Sequence, residues 1–422
     1  MGKKANDVKE KAKDVSASPM SDYGESRNAT RLQLLSMPLF LAAAWFMSES
    51  AMLSSKAEGR CHFLLRFALF GMLEGVLRTP CLQLLMPLSR ALARRLPGAV
   101  VPDDETKVIE QEQAQHDSTL MWPLAETLDR VPADWRAMVA SSKKKQPFFL
   151  NHVRGCVRLR QAAVRVASAV ATLMQVIIMS WLVDHRELGA VGTMLAPADV
   201  AIGVAVGAGI VVALFIAEVA SGWLVVVSWS GEVVVAGESL WLNLLWDVLF
   251  HVGVAINEEV SLRGWVLVNT AHACVAHLGV GASTAIGLAV AMQASLFALY
   301  HAGSPGATRV GLLNLLVGGC CAALNVVLSG GLSFALGWHF GWNIMMGHLL
   351  GLSTSGIPMS AKLISVVPHP RKAHLHGGRF GPEQSTLAVA AYLCGVVLLV
   401  AIYGSDGLEV WRKRLGCVVD EL

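Results

Sequence analysis

Six polar residues interrupt apolar stretches in the second half of the chain: Glu258, Glu259, Arg263, His301, His339 and Asn343. Ionisable groups at membrane depth are costly, so they usually face a bundle interior and mark function. At about 100° per helical residue, Glu259 and Arg263 lie roughly 40° apart, one turn along, with the acid N-terminal to the base. They are expected to pair. Glu258 stands roughly 140° from Arg263 on the same reckoning and is left for another partner, with His301 the nearest candidate in kind. His339 and Asn343 are spaced i, i+4 and project from one face. These types suit hydrolysis of an amide. A carboxylate out of water can take a proton from a water molecule and later return it, and a histidine beside it can hold the same water. Donors such as His339 and Asn343 can stabilise the oxyanion that forms as a carbonyl becomes tetrahedral. Each pair alone also has a structural reading, because Glu–Arg pairs and single histidines in membranes often serve packing.

The elements that must position these groups are membrane helices. Hydrophobic residues make up 54% of the 422, charged residues only 15%, and the mean hydropathy is +0.53. A soluble chain would be about a quarter charged. Windows of about 20 apolar residues, the length that crosses a bilayer, lie near 34–53, 61–80, 166–183, 199–228, 239–268, 280–303, 308–329, 331–352 and 385–404. Glu49, Arg66 and Glu74 interrupt the first two. The expected fold is therefore an all-α polytopic transmembrane bundle of seven to nine spanning helices.

The same pass divides the chain into a polar tail (1–32), N-terminal membrane helices (33–87), a hydrophilic insert (88–165), a membrane core (166–405, with the site in 239–352) and a C-terminal tail (406–422). The opening is Lys-rich and polar rather than apolar, unlike a secretory leader. Residue 6 is Asn6 where a myristoylation signal wants Ser or Thr. Lys143 to Arg165 holds seven basic residues and no acid, which places the insert, like the N-terminal tail, in the cytosol. By the same rule Arg412-Lys413-Arg414 asks for the cytosol, so either one window does not span or the charge rule fails there. A net charge of +3 gives no reason to expect a nucleic-acid partner. The eight cysteines include no C-x-x-C pair and read as small hydrophobes. Gly203 and Gly207, four apart, suggest a close helix contact.

The order E-E-x-x-x-R, F-x-x-x-H, H-x-x-x-N on successive apolar segments resembles the CAAX protease and bacteriocin-processing (CPBP, or Abi) family of intramembrane proteases, which includes the type II CAAX prenyl endopeptidases. Glu258, Glu259 and Arg263 match the first motif, Phe297 and His301 the second, and His339 and Asn343 the third. The resemblance implies that Glu258 and His301 activate water, that His339 and Asn343 support the oxyanion, and that Glu259, Arg263 and Phe297 support the site. It also implies a membrane-anchored or prenylated protein as substrate and, for a eukaryotic CAAX-type enzyme, the endoplasmic reticulum membrane. After His301 the chain continues Ala302-Gly303-Ser304-Pro305, where the prenyl endopeptidases are expected to carry more histidine.

Three other readings compete. Glu258, His301 and His339 could supply a His₂Glu zinc site, although the chain has no H-E-x-x-H and a metal leaves Asn343 without a task; no cofactor is the expectation. Asp247, His251 and Glu258 lie roughly on one helix face, as in a proton-coupled transporter, but repeated halves are not evident. A scaffold or chaperone of the same family is the third, against which the complete motif set argues. A two-aspartate protease lacks its second aspartate, and Ser353 is followed only by histidines in a polar loop (His369, His374, His376), which does not suit a rhomboid-like one. His251, His272, His277 and His348 read by default as packing or hydrogen-bonding residues.

Overall fold

A computed structural model of the chain describes residues 59–93, 159–184, 186, 192, 195–233, 239–357, 359 and 361–420. The polar tail, the first apolar window and most of the hydrophilic insert lie outside them.

The described residues form a helical bundle. Its helices are α1 (Gly59–Ala93), α2 (Leu159–Ile178), α3 (Pro197–Ala220), α4 (Leu240–Glu258), α5 (Leu267–Leu278), α6 (Ala282–Tyr300), α7 (Arg309–Ser329), α8 (Leu332–Ile344), a short α9 (Ala373–His376), α10 (Ala388–Tyr403) and α11 (Asp406–Asp420). Local chemistry fixes the ends. The Ser239 hydroxyl accepts the Leu242 N–H and starts α4, and the Thr308 hydroxyl accepts the Gly311 N–H and starts α7. Gly279 closes α5 at φ +65°, a left-handed turn that glycine adopts without steric cost.

Among the described residues five helices are long and apolar enough to cross a membrane, or six if the bent pair α10–α11 is one span. The protein is a multi-pass membrane protein, as expected, but among the described residues, which leave out the first of the nine windows, fewer helices meet that test than the seven to nine expected. The 331–352 window is one that does not, because His339, Asn343 and His348 dilute it and the helix is short. The 239–268 window instead belongs to a longer helix, Leu240–Leu278, made of α4, a π-helical segment (Glu259–Val266) and α5. Two short antiparallel ladders lie outside the helices. β1 (Leu224–Ser228) pairs with β4 (Ser365–Pro368), and β2 (Glu232–Val233) pairs with β3 (Ala361–Lys362).

Two features position the site. The first is a seam between α3 and α8. A Cβ on Gly203 would strike the Phe334 carbonyl and one on Gly207 that of Trp338, while one on Gly337 or Gly341 would strike those of Val200 or Val204. Gly203 and Gly207 therefore make the close contact expected of them, against a second pair of glycines with the same spacing. Backbones this close leave α8 no freedom to roll. The second is an apolar core around Trp265, which stacks on Phe70 at 4.0 Å and is fully buried with Leu267 and Leu73. It anchors the π-helical segment, whose Val260, Trp265 and Val266 belong to it.

Candidate active site

Glu258 ends α4 and Glu259 opens the π-helical segment. There the backbone bonds i to i+5 instead of i+4, so each residue advances by less than the α-helical 100°. The angular separation of the two carboxylates expected from a regular helix therefore does not hold, and both are turned toward α8. Arg263 Nη1 donates to Glu259 Oε1 at 3.1 Å, the pair expected from their spacing. The guanidinium is fully buried and lies 4.5 Å from the centre of the Phe297 ring, which gives Phe297 a supporting contact.

His339 stands between the acids. Its Nδ1 is 2.7 Å from Glu259 Oε1, and its Nε2 is 4.0 Å from Glu258 Oε2. A carboxylate paired with Arg263 can only accept, so Nδ1 carries the proton and Nε2 is presented to Glu258. Glu258 thus finds its imidazole on α8. His301, the partner expected from the sequence, makes no ion pair with either glutamate among the described residues. Its Nδ1–H donates to the Phe297 carbonyl at 2.9 Å, which leaves Nε2 for another partner. Asn343 follows His339 by one turn and is buried.

Glu259, Arg263, Phe297, His339 and Asn343 line one cavity of about 50 Å³. That is room for a few waters. Glu258 and His301 are not among its lining residues. Among the described residues no group of three or more His, Cys, Asp or Glu side chains is arranged to hold a metal ion.

All of this geometry falls in one stretch. Residues 239–345 match the family model described as type II CAAX prenyl endopeptidase Rce1-like. The chain carries an Rce1-like domain. It is the part of the chain on which the CPBP resemblance rests, and it holds all three motifs. No curated protein and no solved structure matches the chain.

One residue of the cavity lies beyond the Rce1-like domain. Glu383, in the 3₁₀ turn Pro382–Gln384, is buried and lines the same wall as His339 and Asn343. Its Oε2 accepts the Ser355 N–H at 2.6 Å and the Ser355 hydroxyl at 2.8 Å. Burial pushes this carboxyl above its usual range, against the opposing pull of His301 and of the Ser355 donors. The adjacent Gln384 pins the turn: its Oε1 accepts the N–H and hydroxyl of Thr308, and its Nε2 donates to the Gly306 and Gly377 carbonyls. Sequence reasoning missed Glu383 because residues 353–387 look like an ordinary polar loop. The available signal was Gly377, Gly378 and Gly381 just before it, which mark a tightly folded segment rather than a solvated one.

The histidines without an expected role are placed elsewhere. His348 Nδ1 donates to the Ala361 carbonyl at 2.9 Å and lies 3.4 Å from Asp247 Oδ2, while His251 Nε2 is 3.2 Å from Met359 Sδ. Asp247 Oδ2 accepts the Ala361 N–H at 3.2 Å, so Asp247 and His251 fasten Met359 and Ala361 to α4. Ser353 is buried beneath the turn that carries Glu383.

Proposed function

We propose that this chain is an intramembrane endopeptidase that hydrolyses a peptide bond with water activated by Glu258 and histidine, acting on the C-termini of prenylated proteins. The observation that carries the reading is the placement of His339, with Nδ1 on Glu259 and Nε2 4.0 Å from Glu258, inside an Rce1-like domain. That gap is too long for a direct hydrogen bond and leaves the two groups open to a shared water. Glu258 is the general base: it takes a proton from the water as the oxygen attacks the carbonyl. Glu259, neutralised by Arg263, orients His339 much as a carboxylate orients the imidazole of a hydrolytic triad. Nε2 of His301 is a second acceptor for the water, and the Asn343 amide supports the oxyanion, joined by His339 once its Nε2 has gained a proton. No metal takes part in these steps. A site among membrane helices suits a peptide already confined to the bilayer, as a prenylated C-terminus is.

The test is Glu258→Gln, which keeps the volume and removes the proton acceptor. Turnover of a farnesylated CAAX peptide by the purified protein should fall by about 10²–10⁴-fold, with thermal stability unchanged. Full activity in Glu258→Gln would refute the mechanism.

A further inference from the structure

The reading above gives a base for the water but names no separate donor for the departing amine. We propose that Glu383 is a further catalytic residue, the general acid that protonates the leaving nitrogen, held in position by Ser355. This rests on the proposed function and extends it to a residue outside the Rce1-like domain.

Three observations carry it. Glu383 lines the cavity that also contains His339 and Asn343. Both Ser355 hydrogen bonds fall on one oxygen, Oε2. With both donors on Oε2, the proton that burial favours on this carboxyl falls on Oε1. Third, Ser355 is the only non-glycine residue among those described with positive φ, at +48°. Left-handed backbone at a serine costs energy and clusters at functional sites. Here it aims an N–H and a hydroxyl at the same carboxyl oxygen. The groups around Glu383 are His301 and His339, whose charges act on it, Glu259, Arg263, Cys321 and Tyr392 on the cavity wall, and His376 on the adjoining α9.

The step balances. Glu258 takes one proton from water while the hydroxide oxygen bonds to the carbonyl carbon. The C–N bond then breaks with its electron pair on nitrogen, and the nitrogen takes the Glu383 proton. After the amine leaves, the proton on Glu258 returns through water to Glu383. No oxidant or other reactant is needed.

An acid for the leaving group matters only when the leaving group needs a proton. The experiment therefore compares a farnesylated peptide with the p-nitrophenyl ester of an N-acylated S-farnesylcysteine, whose phenolate departs unprotonated. Glu383→Gln should lower amide turnover by about 10²-fold or more and leave ester turnover within about threefold, whereas Glu258→Gln should lower both. Because Glu383 acts protonated, wild-type amide turnover should fall as pH rises through its ionisation, and that limb should be absent from Glu383→Gln. Should Glu383→Gln not fold, Ser355→Gly serves. Glycine suits φ +48°, and loss of the hydroxyl removes a hydrogen bond favouring the carboxylate, so the alkaline limb should move to higher pH. Full amide turnover in Glu383→Gln, equal loss on both substrates, or an unmoved limb in Ser355→Gly would overturn the assignment while leaving the base mechanism intact. A wild-type protein that hydrolyses neither substrate would overturn both.

Discussion

Arg263→Ala separates the structural carboxylate from the catalytic one. In the wild type Arg263 is fully buried, 3.1 Å from Glu259 and 4.5 Å from the centre of the Phe297 ring. Removing one partner of a buried ion pair costs about 3–5 kcal/mol, because the other charge is stranded. The lost cation–π contact adds up to about 2 kcal/mol at a desolvated site. Part of this is recovered, since His339 Nδ1 still donates to Glu259 and can add charge to the contact. A net destabilisation of about 4 kcal/mol is expected. Adding Glu259→Gln removes the stranded charge, so the double variant should be more stable than Arg263→Ala alone, with a coupling of about 2 kcal/mol or more in a double-mutant cycle. SDS titration from mixed micelles, followed by tryptophan fluorescence, measures all three variants beside Glu258→Gln. If Arg263→Ala and Glu258→Gln unfold at the same SDS fraction, or if the cycle closes additively, Arg263 does not hold Glu259 as described.

Other outcomes follow from the same geometry. Gly341→Ala should lose more activity than stability: overpacking costs about 1–3 kcal/mol against a helix gain of about 1, but the backbone of Val204 cannot yield, so α8 and His339 shift. Gly209→Ala, with nothing near its Cβ, is the neutral control; equal turnover in the two would remove the seam from the argument. Activity should survive prolonged chelation, with well under one zinc per chain by elemental analysis. Stoichiometric zinc whose removal abolishes turnover would restore the His₂Glu reading. The purified protein should remove the last three residues of a farnesylated peptide and spare its unprenylated twin, and equal cleavage of both would take CAAX processing out of the proposal.

What the sequence made legible was decided by range. The Glu259–Arg263 pair could be read because it depends on four residues of one helix, and the apolar windows because the bilayer imposes a length. The contact of Gly203 and Gly207 was half legible: their spacing was visible, while Gly337 and Gly341, the partners, lay unremarked around the third motif. That Glu258 also lies 4.0 Å from His339 could not be read, because the 100° rule assumes an α-helix and nothing in Glu259–Val266 announces i to i+5 bonding. That His339 stands between two carboxylates depends on α8 being locked to α3, a tertiary fact. Glu383 is further still, brought into the cavity by a loop whose own hydrogen bonds, from Gln384 to Thr308, Gly306 and Gly377, have no periodicity to read.

The π-helical segment bears on whether such a site could be transplanted. An engineer who copied Glu258, Glu259 and Arg263 onto an idealised helix would keep the ion pair and lose the site, since regular spacing sends Glu258 roughly 140° from Arg263. The wider turn stays put because Trp265 within it and Leu267 just after it are fully buried, so the helix has no slack through which to shed its extra residue. The transferable unit is therefore a stretch of backbone together with the core that clamps it, and the letters of the motif are only its visible part.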